Sequence, residues 1–350
     1  MLMDTSNRLC QLQENKIYHS PMPCGQDIAR SLIRQNGVPR KVPPGPRRIS
    51  ALEKTGLSTH GQLYGAYTGK VPLSFLQVDN DHVRMQATRK IGGKMFSFKV
   101  VDVNDHPQIN PETLYTVDSL MELSAAKISL RENRLAYALA LVVYCKMLQM
   151  TNDTSDLQRH QRLLGRVGVT DQEIDEYWRE TFGDSGFKKK LTFDEYLDIY
   201  SKCCEVNAGV DVLYHSVQYL DYLYEQFERV GINNDTSIVA LLNVPRLDNA
   251  FYTGSYMIFG AGKKNFLPLT GADTVAHELT HGLMHFVYKN ESGAANEGFC
   301  DAMAAAYEFN LDKVNVSNPD FRGQGDWEVG EEVVRNFKRR RLRDMQDPHR

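Results

Sequence analysis

Between residues 63 and 103 apolar and polar positions alternate, and Met95-Phe96-Ser97-Phe98-Lys99-Val100-Val101 is the clearest strand of the run. The period then changes. From residue 120 to 201 apolar side chains recur at helical spacing, and Leu135, Leu139, Leu141 and Val142 in an Ala- and Leu-rich stretch predict a buried helix. A long helix is predicted after Asn207, carrying Val212, Leu213, Val217, Leu220, Leu223 and Phe227 on one face. Strands follow at 237–244 and 250–259, then helices at about 274–288 and 296–309, with no internal repeat.

This order suggests four segments. Residues 1–50 end in the Pro- and Arg-rich stretch Val38-Pro39-Arg40-Lys41-Val42-Pro43-Pro44-Gly45-Pro46, which favours extended backbone and reads as a linker or detachable leader. Residues 51–118 form a sheet-rich part, 119–205 a helical module, and 206–350 a mixed lobe. Within the helical module, Asp184-Ser185-Gly186-Phe187-Lys188-Lys189-Lys190-Leu191-Thr192-Phe193-Asp194-Glu195 has the outline of an EF-hand loop. Gly186 and Lys188 stand where carboxylates belong and Lys189 replaces the turn glycine, so no calcium binding is expected there.

The chain has 350 residues, 42% hydrophobic and 24% charged, which is enough to bury a large core. Its formal net charge of −3 argues against a nucleic-acid footprint over the whole chain. The local run Lys338-Arg339-Arg340-Arg341 is read as a solvated helix face. No stretch reaches the ~18–20 apolar residues of a membrane helix, and the polar N-terminus lacks the apolar centre of a signal peptide. The expected location is therefore the cytosol, or the export signal lies outside this sequence. Cysteines 10, 24, 145, 203, 204 and 300 show no regular spacing and are read as free thiols.

The chemistry concentrates in His277-Glu278-Leu279-Thr280-His281, an H-E-x-x-H pentad within a predicted helix. Asp273 supplies an acid near the helix N-terminus, and Val275, Ala276, Leu279, Leu283, Met284 and Val287 can bury it. Residues four apart share a helix face, so both imidazoles can reach one metal ion, with Glu278 beside a metal-bound water. A catalytic zinc takes three protein ligands and keeps one position for water. After the turn-like Asn290-Glu291-Ser292-Gly293, Glu297 and Asp301 lie one turn apart. One of these carboxylates can ligate while the other holds an imidazole N–H.

HELTHG followed by ESGAANEGFCD resembles the thermolysin-like zinc metallopeptidases, and the resemblance extends over 252–260 and 325–348. It is strong from about Asn207 onward, weak over 51–118, and absent over 119–205, which is therefore read as an insertion. The resemblance implies an α+β fold, a sheet-rich N-terminal lobe carrying the active-site helix. It implies zinc ligation by His277, His281 and Glu297, with Asp301 orienting His277 and Asn296 orienting His281. Glu278 would be the general base, and Tyr288 would stabilise the tetrahedral oxyanion. Asn249 and Ala250 would begin an edge strand that binds extended peptide. Leu342 would wall the specificity pocket, and Arg343 would contact a substrate carbonyl. Asp273, Glu308, Asp326, Glu328 and Glu331 match a paired calcium site.

Two departures from the family shape the expectation. The segment containing Cys24 and Ile33-Arg34-Gln35-Asn36-Gly37 resembles the short leader of intracellular-type members, with Cys24 read as a free cysteine. The sequence stops shortly after Asp347-Pro348, so the family's C-terminal helical domain is expected to be missing, with a cost to catalysis. The expected function is a zinc endopeptidase that prefers a bulky apolar residue after the cut, acting on peptide or protein, with no nucleic-acid or membrane partner. The alternatives are a truncated, catalytically weak zinc- or peptide-binding protein, and a scaffold built on residues 119–205.

Overall fold

The structure is a computed structural model that describes residues 63–347 except 73–75, 80, 107–108, 110–121, 184–190, 285–290, 323–324 and 336–340. The expected leader, the first seven positions of the EF-hand-like loop, Tyr288 and the basic residues 338–340 lie outside the described residues.

A short hairpin comes first, β1 (Leu63–Gly65) against β2 (Gly69–Val71). Strands β3 (Leu76–Asp79), β4 (His82–Ile91) and β5 (Lys94–Asp102) then form a meander, and β6 (Lys127–Ser129) joins β4. Four helices follow: α1 (Leu130–Thr151), α2 (Thr154–Val167), α3 (Asp171–Phe182) and α4 (Phe193–Phe227). The chain returns to the sheet with β7 (Ser237–Val244), β8 (Ala250–Tyr252) and β9 (Met257–Gly260). It continues into α5 (Ala272–His281) and α6 (Glu291–Asn315), and the short pair β10 (Glu328–Val329) and β11 (Arg343–Asp344) comes last. The α+β class is as expected.

Seven strands make one sheet in the order β3-β4-β5-β7-β9-β8, with β6 against β4. The β5–β7 and β7–β9 pairs are parallel, and β8 closes one edge antiparallel to β9. Side chains alternate across the central strands. Phe96, Phe98, Val100, Ile238, Ala240, Leu242, Met257 and Phe259 face the main core under α4 and α5. Val101, Val239, Leu241 and Ile258 face a second apolar layer on the other side. Because both faces are covered, β7 reads as a continuous apolar run rather than an alternating one.

Helix α4 ties the helical module to the sheet. Thr192 and Glu195 close a capping box at its start, so the Glu195 carboxylate is engaged by the Thr192 N–H and hydroxyl. Tyr196, Leu197, Tyr200, Cys203 and Cys204 of its first half pack among α1, α2 and α3. Val212, Val217, Leu220 and Leu223 of its second half lie in the sheet core. The helix therefore runs unbroken through position 205, where the insertion was expected to end.

Two element boundaries differ from the expectation. The strand expected at 250–259 is a hairpin, because the Thr253 hydroxyl accepts the N–H groups of Ser255 and Tyr256 and Gly254 takes a positive φ of 96°. The helix expected to reach residue 288 ends at His281. Gly282, Leu283 and Met284 donate to the carbonyls of Leu279, Thr280 and His281 in a tightening last turn. At position 341, expected within a helix face, the chain is not helical, and the Arg341 guanidinium pairs with Glu328 and Asp344. Among the described residues no helix is long and apolar enough to cross a membrane.

Candidate active site

Helix α5 buries Ala272, Val275, Ala276 and Leu279 in the sheet core. That leaves His277, Glu278 and His281 toward α6. The two imidazoles are 4.8 Å apart between centroids and nearly perpendicular, at 82°. From α6, the Glu297 carboxylate reaches both of them, with Oε2 3.1 Å from His277 Nε2 and Oε1 3.7 Å from His281 Nε2. The two Nε2 atoms thus converge on one carboxylate.

The opposite ring nitrogens are held separately. His277 Nδ1 lies 2.8 Å from Asp301 Oδ1, and Arg343 Nη2 donates to that same oxygen at 2.6 Å. His281 Nδ1 faces the Asn296 amide at 3.2 Å and Cys300 Sγ at 3.3 Å. The spacing of α6 explains the set: Asn296 and Cys300, like Glu297 and Asp301, are one turn apart and meet adjacent rings. Cys300 was not among the expected site residues, although its helical spacing from Asn296 was visible in the sequence.

The electrostatics suit a cation. Burial opposes charge on His277, but the hydrogen bonds to Asp301 and Glu297 outweigh it and push its pKa to about 10. His281 moves down to about 4, through burial and then the repulsion of His277. Burial raises Glu278 to about 7, opposed by His277 and by the Tyr252 backbone N–H. Among the described residues, Glu278 Oε2 is buried with no hydrogen-bond partner. Two imidazoles and a carboxylate form a nitrogen–oxygen donor set of the kind zinc takes, so these residues fit that metal.

Edge strand β8 lies over this centre and brings Tyr252 to Glu278. A Cβ at Gly282 would come within 2.9 Å of Ile232 Cδ1 and 3.2 Å of the Tyr252 ring, so the helix end packs closely against both. Asn249 accepts the Gly260 N–H through its backbone oxygen, and Leu342 rests partly exposed beside Gly330. Arg343 is bound to Asp301, and its Nε is buried without a partner. Tyr288 lies outside the described residues.

A second carboxylate cluster sits behind the N-terminus of α5. Carboxylate oxygens of Asp273, Glu308 and Glu332 lie within 4.8 Å of one another. Glu331 joins them, and the Oε2 atoms of Glu308 and Glu331 are buried without hydrogen-bond partners. Burial, then mutual repulsion, raises the pKa values of Glu308, Glu331 and Glu332, and Asp273 is raised chiefly by burial. Asp326 stands close enough to Glu308 to repel it and accepts the Glu328 N–H at 2.6 Å. Of the five expected acids, Glu328 is engaged elsewhere, by Arg341. Glu332 was not expected, and its only signal in the sequence is adjacency to Glu331.

A helix-borne H-E-x-x-H with a carboxylate from the following helix defines the class of metal-dependent hydrolases. The profile described as "Thermolysin metallopeptidase, catalytic domain" matches residues 61–285, and that described as "Thermolysin metallopeptidase, alpha-helical domain" matches residues 284–350. The chain belongs to the thermolysin metallopeptidase family. It is 35% identical over 150 residues to a thermolysin of Alicyclobacillus acidocaldarius subsp. acidocaldarius, covering 40% of this chain and 26% of that protein. A bacillolysin of Bacillus caldolyticus gives the same identity and coverage. A neutral protease NprE of Bacillus pumilus is 32% identical over 149 residues, 40% of this chain and 44% of that protein. The matches thus span less than half the length of these relatives.

The match over 284–350 corrects the expectation that the C-terminal helical domain is missing. The physical reason is in α6: this helix lies inside that match and carries Glu297 and Asp301, so the candidate centre is assembled from both matched regions. The catalytic-domain match also spans residues 119–205, which had shown no resemblance.

Proposed function

We propose that this chain is a zinc-dependent endopeptidase, with His277, His281 and Glu297 holding the metal and Glu278 as general base. The observation that carries the reading is the convergence of both Nε2 atoms on Glu297, with the unpartnered Glu278 oxygen on the same helix as the imidazoles. Bound zinc would act as a Lewis acid and bring the pKa of a water toward ~7.

The chain's own residues supply the rest. Asp301 accepts the His277 Nδ1–H and fixes which nitrogen is free to ligate. Asn296 sets its amide Nδ2 3.2 Å from His281 Nδ1, and turning the amide so that its oxygen accepts the Nδ1–H would do the same for His281. Glu278 takes the proton of the attacking water and passes it to the leaving amine. Its position suits that task, because one carboxylate oxygen is buried with no hydrogen-bond partner among the described residues and is free to take a proton. Tyr288, which lies outside the described residues, and Arg343 are assigned to the substrate carbonyl, where each would stabilise the charge that develops on it. An extended peptide adds to the free edge of β8 from Asn249 and Ala250, and Leu342 walls a pocket that takes a bulky apolar side chain.

Asp273, Glu308, Asp326 and Glu331, with Glu328 where Arg341 releases it, are proposed to share calcium. Support comes from the orphaned Glu308 and Glu331 oxygens, because several buried carboxylates repel one another until a cation joins them. The zinc reading is tested by metal analysis with peptide hydrolysis. The wild-type protein is expected to hold one zinc at this site and cleave; His281→Ala is expected to lose both. Equal zinc in the two proteins would overturn the ligand set.

A further inference from the structure

The second histidine of the centre is the last residue of its helix. The turn is closed by the N–H groups of Gly282, Leu283 and Met284, but terminal turns are the part of a helix that opens most easily, so a metal ligand placed there gains from an external hold. Gly282 follows immediately, and the N-cap residue Gly271 has no side chain to cap the other end. The helix is only 10 residues long.

Asn296 and Cys300 of α6 meet the His281 ring itself, and a side chain of α4 meets the same last turn one residue earlier with a directed hydrogen bond. Tyr219 of α4 places its hydroxyl 2.6 Å from Thr280 Oγ1, next in sequence to His281. The direction of the bond follows from counting protons. Thr280 has one hydroxyl hydrogen and gives it to the Ala276 carbonyl at 2.6 Å, so Tyr219 must donate. Tyr219 and Thr280 are fully buried, so no water substitutes for either partner. The Tyr219 ring is fixed in turn by Tyr307 of α6, edge-on at 5.3 Å, and the Tyr307 hydroxyl lies 3.0 Å from His215 Nδ1. Thus one ring touches all three helices that surround the centre: α4 that bears it, α5 through Thr280, and α6 through Tyr307.

We propose that Tyr219 is a positioning residue for His281: its hydrogen bond to Thr280 pins the final turn of the active-site helix and holds the second imidazole ready for metal. The inference rests on the zinc reading above. It goes beyond it in assigning to α4, a helix without a ligand of its own, the alignment of a ligand on α5. A contact that orients a ligand from behind typically sets metal affinity by 10–100-fold when removed.

The test compares Tyr219→Phe, Thr280→Val, Thr280→Ser and the double variant Tyr219→Phe/Thr280→Val with wild type. Zinc affinity is measured by competition with a chromogenic chelator, melting temperature on the zinc-free protein, and ligand geometry from the visible spectrum of the cobalt-substituted protein. Tyr219→Phe is expected to weaken zinc binding about tenfold and to alter the cobalt spectrum. Thr280→Val is expected to do the same, the double variant to be no worse than either single one, and Thr280→Ser to behave as wild type. A lower zinc-free melting temperature with unchanged zinc affinity and cobalt spectrum would reduce Tyr219 to an ordinary core residue and overturn the proposal. Additive losses in the double variant would also overturn it, because the two hydroxyls would then act separately. A wild-type protein that holds no zinc, while His281→Ala behaves identically, would instead bring down the underlying reading of the site.

Discussion

Removing a charge from the carboxylate cluster should stabilise this protein until calcium is added. Glu308→Gln keeps the size and polarity of a side chain that is 3% exposed while deleting its ability to ionise. Glu308 sits against Asp273, Glu331, Glu332 and Asp326, and its pKa is held well above its ordinary 4.5, first by burial and then by these neighbours. Its folded pKa exceeds its unfolded one, so its contribution is fully present below about pH 4.5 and is lost as pH rises. Bringing such an acid into the fold costs about 1.4 kcal/mol for each pH unit between its unfolded and folded values, so the cost grows as pH rises above 4.5. The new amide leaves an imperfectly paired polar group at a cost of about 1 kcal/mol, which one pH unit of that range already exceeds, so the net effect at neutral pH is stabilising. For a chain of this size each kcal/mol gained raises the melting temperature by roughly 1–2 °C.

The assay is thermal unfolding of metal-stripped protein at pH 5 and pH 7, repeated with calcium returned. Without cations the variant should melt higher than wild type at pH 7 and nearly with it at pH 5. With calcium the order should reverse, because only the wild type keeps its full set of carboxylates. A stripped variant that melts below wild type at pH 7, or an equal response of both proteins to calcium, would refute the reasoning.

Two further outcomes are expected. Arg322→Met should destabilise the protein by about 2–4 kcal/mol in denaturant unfolding, because the guanidinium donates to the Ala66 carbonyl at 2.7 Å, meets His160 Nε2 at 3.3 Å and lies over the Tyr144 ring; a change below about 0.5 kcal/mol would contradict this. In zinc-loaded protein the acid limb of kcat/KM should fall below pH 7, because a cation beside His277 lowers the pKa that burial had raised in Glu278. The base works only when ionised, so kcat/KM should rise with pH through that limb. A profile that increases as the pH drops from 7 would remove Glu278 from the role.

Much of the centre was legible because it is written in helical periodicity. The spacing of His277 and His281 puts both rings on one face, and that of Glu297 and Asp301 delivers one carboxylate to each side of the His277 ring. What the sequence hid depends on neighbours distant along the chain. The end of α5 at His281 comes with a turn closed by Gly282, Leu283 and Met284 and packed against Ile232 and Tyr252, contacts that no local pattern reveals. Likewise α4 looked like two helices, one in a module and one in a lobe, because its apolar stripe changes partner from α1 to the sheet. Glu332 and Tyr219 read as ordinary surface and core residues until the fold brings Asp273 to one and Thr280 to the other. The C-terminal expectation failed for a similar reason. The span that matches the helical domain already begins before α6, the helix that bears Glu297 and Asp301.

The central claim is that Glu278 activates water at a zinc held by His277, His281 and Glu297, and hydrolysis of a mixed peptide library by zinc-loaded wild type and Glu278→Gln tests it most directly. Zinc content is measured on the same samples. The account predicts cleavage by wild type, with apolar residues following the cut, and a loss of at least about a hundredfold in Glu278→Gln with zinc fully retained. Undiminished cleavage by zinc-loaded Glu278→Gln would contradict it.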